Sequence, residues 1–300
     1  MEGAPEHPRS FARGVLYIFV AVGMFALMDS IAKYLARWYP VPGIVWARYA
    51  ANLVILLAFL AARGELGRMR TARPGLQILR GLLLAGATFL YFTSLTVLPL
   101  AEAAAIAFVM PLFVALLAVP MLGERMDGVR LAAVFVGLAG ALVIVRPGAA
   151  LFTPYALLPV GMALCNALFQ ILTRRLAGEE HALTSLVWGA LVGAAAFSVV
   201  LPFAWVTPSD PWHWTLLGVI GLLASIGHFI LIKAYDHASA SGLAPFFYTQ
   251  LVWVLLLGWL IFGDFPDGWS LAGMAIIVAA GLMVAGRQRL AVRQSKAKPR

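Results

Sequence analysis

The chain has 300 residues, 62% of them hydrophobic and only 12% charged, with a mean hydropathy of +0.91. No soluble core can hide that much apolar surface, so composition excludes a soluble globular protein and points to an integral membrane protein. A formal charge of +9 would suit nucleic acid in a soluble chain. Here the basic residues stand between and after long apolar runs, where they mark topology and no nucleic-acid partner is expected.

A helix needs about 20 residues to cross roughly 30 Å of hydrocarbon. Residues 1–11 are polar and read as an N-terminal segment; the run that follows is too long for a signal-peptide core and is expected to be retained. Apolar runs between charged, Pro or Gly-rich breaks predict ten spans: 12–36, 41–62, 76–97, 100–121, 128–146, 154–174, 182–203, 212–234, 238–262 and 268–286. The fold class is therefore all-α integral membrane.

The first span carries Asp29 and Lys33 in "MFALMDSIAKYLAR", and the second carries Arg48. At 1.5 Å per residue, Asp29 and Arg48 both lie about 10 Å below the surface at which the first span ends, and Lys33 sits one turn above Asp29. An unpaired charge at that depth is costly, so Asp29 is expected to pair with Arg48, Lys33 or both. Read structurally, this charge cluster staples the first two helices. Read functionally, Lys33 or Arg48 attracts a carboxylate, or Asp29 carries a proton.

Further along, "TVLPLAE" leaves almost no loop at Pro99 between the third and fourth spans, but one merged helix would far exceed the bilayer. Glu102 is expected to be a wet carboxylate in the first turn of the fourth span. Pro111 in the fourth span and Pro245 in the ninth each remove an internal hydrogen bond and are candidate kinks or hinges. Cys165 is the only cysteine, so no intramolecular disulfide and no cysteine-clustered metal site is possible; no metal or cofactor is expected. The "GALVG" run at 189–193 matches GxxxG, but in a chain so rich in small residues it leaves monomer and homodimer both open.

Mid-span polar and aromatic residues mark the expected substrate cavity. They are Tyr91, Asn166, His228, Tyr248 and Gln250, with Met24, Met28, Phe108 and Trp253 as adaptable apolar walls. For each of them ordinary helix packing is the competing reading, and for His228 an interhelical hydrogen bond. "SASG" at 239–242 superficially resembles an intramembrane serine-protease motif. His237 and His228 are poorly placed as its base, so no enzyme is expected.

Lys and Arg set the topology. With both termini inside, 18 of the 22 basic residues fall on the cytoplasmic side, including Arg63, Arg68, Arg70 and Arg73 in one loop and the tail at 287–300. Sliding the chain by 140 residues aligns Gly123, Asp127, Gly128, Leu131, Ala132, Ala139 and Leu142 with identical residues beginning at Gly263. The match implies duplication, with repeats at 12–146 and 154–286. Five spans per repeat is an odd number, so the second copy enters from the opposite face and the repeats are inverted.

"AYDHASASGLAPFFYTQLVWVLLLGWLIFGDFPDGWSLAGMAIIVAAGLMV" (235–284) resembles the second repeat of EamA-type carriers of the drug/metabolite transporter superfamily, and "MDSIAKYLARWYPVPGIVWARY" (28–49) resembles the start of the first. The resemblance implies ten helices, a cavity enclosed by the first, third, fourth, sixth, eighth and ninth, and movement of small metabolites across the bacterial inner membrane. Within the family, the chain looks similar to YddG-like exporters of aromatic and other amino acids. The expected partners are a small-molecule substrate and the lipid bilayer. A small-solute channel and a drug or cation efflux carrier are the alternatives.

Overall fold

The computed structural model describes residues 8–122, 128–146, 153–176, 179–235, 237 and 243–297, by backbone alone at 8–10, 122, 130, 244–245 and 284–297. Among these residues there are helices and no β-strand. The α-helices are α1 (Pro8–Leu35), α2 (Val41–Ala62), α3 (Pro74–Ser94), α4 (Leu100–Ala107), α5 (Met110–Leu122), α6 (Gly128–Val145), α7 (Leu157–Leu176), α8 (Ala182–Ala204), α9 (Pro211–Tyr235), α10 (Thr249–Leu257) and α11 (Gly268–Ala297).

Prolines and caps set many of the boundaries. Pro74 and Pro211 open α3 and α9, where the missing N–H costs nothing. Asp267 caps α11 by accepting the Ser270 N–H at 2.8 Å. Gly64, at φ +65°, and Gly263, at φ +74°, end their elements in the left-handed region that glycine adopts without strain. The first-copy partners of Gly263 and Asp267, Gly123 and Asp127, lie outside the described residues, as does the "SASG" segment.

Among the described residues, seven helical runs are long and apolar enough to cross a membrane: Phe11–Leu35, Val41–Ala62, Pro74–Ser94, Leu100–Met121, Pro154–Leu176, Ala182–Ala204 and Pro211–Tyr235. Three shorter apolar runs, Leu131–Val145, Phe246–Phe262 and Gly268–Met283, accompany them. In the best window of each long run only 33–44% of residues are buried, so more than half of each apolar surface faces outward, as lipid-facing helices require. Phe203, Val199, Phe135 and Leu142 are among the most exposed apolar side chains.

Two predicted spans are discontinuous. The fourth breaks at Phe108 and Val109, with Pro111 in the first turn of α5. In the described part of the ninth, the helical Leu243 leads into a 3₁₀ turn at Ala244–Tyr248, followed by α10 and a π turn at Gly258–Phe262. Pro111 therefore follows an interruption, and Pro245 stands in the 3₁₀ turn between the helical Leu243 and α10. The tenth span also continues past 286 to Ala297, because the Arg, Gln and Ala-rich tail favours helix beyond the apolar run.

The main helix contacts join the two halves of the chain. α6 packs on α11, α1 on α9 and α10, α2 on α8 and α9, and α3 on α7 and α8, while α5 packs on α7. The crossing of α6 and α11 is closest at two glycines. A Cβ on Gly273 would stand 2.7 Å from the Gly140 carbonyl oxygen, so the absent side chains let the backbones touch.

Candidate functional site

Asp29 on α1 and Arg48 on α2 are both buried, 4% and 6% exposed. Asp29 faces the Tyr91 hydroxyl on α3 and lies in the field of Arg48. Arg48 donates from Nη1 to Thr88 Oγ1 at 2.9 Å and from Nε to Met28 Sδ at 3.4 Å, with its guanidinium 4.8 Å from the Tyr49 ring centre. The Tyr49 hydroxyl shares Thr88 Oγ1 at 2.9 Å. Met28, Asp29, Arg48, Tyr49, Thr88 and Tyr91 thus form one polar seam across α1, α2 and α3.

Lys33 does not join that seam. Its Nζ donates to the Leu98 carbonyl at 3.0 Å and pairs with Asp264 at 3.1 Å. Of the two partners expected for Asp29, Arg48 acts on it through its field, with no ion pair within 4.0 Å among the described residues, and Lys33 is paired elsewhere. The four-carbon stem carries the ammonium away toward the helix end, where a free carbonyl and a half-exposed carboxylate receive it. Glu102 also departs from expectation: it is 5% exposed, not wet, and its Oε2 finds no partner among the described residues.

Beside the seam lies a recess between α2, α3, α7, α8 and α9, of about 460 Å³ including its open mouth. Arg48, Arg80 and His228 supply its basic lining, Asn52, Ser185 and Ser225 its neutral polar groups, and Phe169, Leu56 and Leu84 its apolar wall. No Asp or Glu is among its lining residues. Ser225 donates to Asn52 Oδ1 at 2.9 Å, tying α9 to α2. The His228 Nδ1 lies 2.7 Å from the Ala224 carbonyl one turn back, and its ring stands edge-on to Phe25 at 5.0 Å. If Nδ1 carries the proton donated to that carbonyl, Nε2 is an acceptor.

Arg80 is the residue that sequence reading missed. It is 4% exposed, donating from Nε to Thr173 Oγ1 at 2.7 Å and from Nη1 to Gln77 Oε1 at 3.0 Å and the Ser185 carbonyl at 2.9 Å. Its guanidinium lies 4.7 Å from the centre of the Phe169 ring. Counted only as a basic residue near a cytoplasmic end, it passed as a topology marker. Six residues beyond Pro74, it lies about 9 Å along the helix, and the depth count applied to Arg48 would have singled it out.

The expected cavity residues divide into groups. Met28 and Tyr91 join the seam, and His228 lines the recess with Arg48. Met24 packs partly buried against the main core. Phe108, at the break before α5, stacks on Tyr248, at the 3₁₀ turn before α10, with ring centres 5.1 Å apart. The Tyr248 hydroxyl is buried without a partner among the described residues and lies where a Cβ on Gly281 would be. Trp253 turns to α1, donating to the Phe19 carbonyl at 3.2 Å. Asn166 and Gln250 are half-buried and are not among the recess lining. Of the nine expected residues, the structure brings Met28 and Tyr91 to the seam, His228 to the recess, and Phe108 and Tyr248 together at two helix breaks. Among the described residues no cluster of His, Cys, Asp and Glu is arranged to hold a metal.

The EamA-like transporter family model matches residues 12–146 and again residues 153–286. An S-adenosylmethionine uptake transporter of Rickettsia prowazekii (strain Madrid E) is 29% identical over 276 residues, covering 92% of this chain and 93% of its own. A riboflavin transporter of Vibrio cholerae is 30% identical over 277 residues, covering 91% and 92%. A pseudopaline exporter of Pseudomonas aeruginosa is 30% identical over 275 residues, covering 89% and 94%. A solved crystal structure of a protein with no stated function superposes with a TM-score of 0.63 at 20% identity, covering 93% of this chain and 98% of that one; at that identity the likeness speaks for the fold alone.

Proposed function

Because the chain belongs to the EamA-like transporter family and is a multi-pass membrane transporter, we propose that it works as a secondary carrier by alternating access, moving amino acids or similarly small amphipathic metabolites. The observation that carries this reading is the recess: it lies between helices of both halves and combines basic, neutral polar and aromatic walls. A site built at the interface of two repeats can be exposed to one side and then the other as the halves rock.

The arrangement in the membrane belongs to the same proposal. The three shorter apolar runs complete ten crossings, and the two halves are inverted repeats. The packing supports this. If the halves are exchanged in register, α1 with α9 becomes α7 with α3, α2 with α9 becomes α8 with α3, and α1 with α10 becomes α7 with α5. Meanwhile α2 with α8 and α6 with α11 map onto themselves, and all of these pairs are present. The positive-inside pattern supports cytoplasmic termini and residence in the bacterial inner membrane.

Among the relatives, S-adenosylmethionine is itself an amino-acid derivative, which supports an amino-acid-type solute; their names include both uptake and export. Export is our reading for this chain, from its overall likeness to amino acid exporters. A lining with two arginines and no carboxylate speaks against cation efflux. Uptake of a radiolabelled panel of amino acids and S-adenosylmethionine into proteoliposomes, with and without a pH gradient, tests the substrate class. Saturable uptake of at least one member is expected, and no transport of any member rejects it.

A further inference from the structure

The recess holds a buried cation that the described residues leave without a counter-charge. Arg80 is 4% exposed, yet among the described residues it pairs with no carboxylate. Its three hydrogen bonds all go to neutral acceptors: the Thr173 hydroxyl, the Gln77 side-chain carbonyl and the Ser185 main-chain carbonyl. A guanidinium has five N–H groups. The bonds from Nε and Nη1 therefore leave the Nη2 protons unassigned, on a side chain that lines the recess.

The group is held firmly in place. Gln77, which accepts from Arg80, itself donates to Ser185 Oγ at 3.1 Å, so α3 and α8 clamp the guanidinium between them, while the Phe169 ring of α7 covers one face at 4.7 Å. The recess lining also carries a second cation, Arg48, while Asp29, which lies in the field of Arg48, is not among that lining. Removing a cation from water is costly unless an anion meets it; the ring face and neutral acceptors offset only part of that cost.

We propose that Arg80 anchors the carboxylate of the transported solute, with its apolar part against Phe169 and Leu84 and Arg48 as a second cation. The proposal rests on the carrier reading above and narrows its substrates to carboxylate-bearing solutes. Amines without a carboxylate find two like charges and no acid, and are rejected. The Nη2 protons of a fixed guanidinium suit a carboxylate because they offer it charge-assisted hydrogen bonds.

The test uses three probes that share one aromatic body: L-phenylalanine, 3-phenylpropionate, which lacks the ammonium, and 2-phenylethylamine, which lacks the carboxylate. Each is added to the purified full-length chain, with thermal stabilisation as the binding readout, and competes in proteoliposomes against whichever labelled solute is exchanged. The first two are expected to bind and compete, and the amine is not. Arg80→Gln should raise the KM for a carboxylate solute by about tenfold to a hundredfold, as expected for a lost charged hydrogen bond, and Arg80→Lys should restore part of the affinity. Equal binding of the amine and the propionate by the wild type overturns the proposal, as does an unchanged KM in a folded Arg80→Gln protein. If Arg80→Gln fails to fold, the wild-type probe series and Arg80→Lys still decide. If no solute is exchanged at all, the carrier reading fails, while selective stabilisation by the two carboxylates in wild type alone still supports the anchor.

Discussion

Asp29 and Lys33 stand one helical turn apart and end in different environments. Lys33 reaches the helix end, where Asp264, 231 residues away in sequence, pairs with it at 3.1 Å. Asp29 stays buried beside Tyr91 and Arg48. The depth of these charges was legible, because helical rise alone supplies it. The partner of Lys33 was not, since nothing local in either segment encodes a contact made by tertiary packing. The seam yields a double-mutant prediction. Arg48→Gln leaves Asp29 buried without its cation, and Asp29→Asn does the reverse. Each should lower stability in detergent by about 1–5 kcal/mol. The double variant should lose less than the sum, with a coupling of about 1 kcal/mol or more. Strict additivity in thermal unfolding would show that the two charges do not support one another.

At the level of elements, the span at 41–62 was readable to the residue because its bounds are chemical: Pro40 and Pro42 at one end, Arg63 and Gly64 at the other. The break at Phe108 and Val109 was announced by Pro111. The π turn at Gly258–Phe262 carried no such signal, since its residues read as ordinary apolar helix. Close approach of α6 and α11 was also hidden, because Gly140 and Gly273 are two of 28 glycines and only the fold brings them together. Gly273→Ala places a Cβ against the Gly140 carbonyl and should cost about 1–3 kcal/mol by overpacking. Gly86, inside α3, has nothing within 4 Å of its Cβ position. Gly86→Ala should therefore be neutral or stabilising by up to about 1 kcal/mol, from helix propensity. Thermal melts of the two variants in the same detergent compare them directly, and an equal response would remove the crossing as a special contact.

For the whole molecule, the main helix contacts run between halves and not within them. Each half borrows its packing from the other, so a rocking motion slides these cross-half surfaces past one another. The ends are held by polar links across the same divide: Lys33 to Asp264 and Arg146 to Asp267 at one end, Arg73 to Glu179 and the Thr184 hydroxyl to the Arg68 carbonyl at the other. The class and the membrane character were legible because composition and long apolar runs carry them, and the family through the resemblance of residues 28–49 and 235–284 to EamA-type carriers. The recess was only partly so: His228 and Arg48 stood out as polar groups deep in spans, but Arg80 was masked by its closeness to a basic loop, and Asn52, Ser185 and Ser225 carry no charge or ring to set them apart. Solute counterflow tests the carrier account most directly. Proteoliposomes preloaded with an unlabelled transported solute should accumulate the labelled solute transiently and faster than empty ones, because a carrier returns loaded. Equal rates into loaded and empty vesicles, linear in concentration, would contradict alternating access and describe a pore.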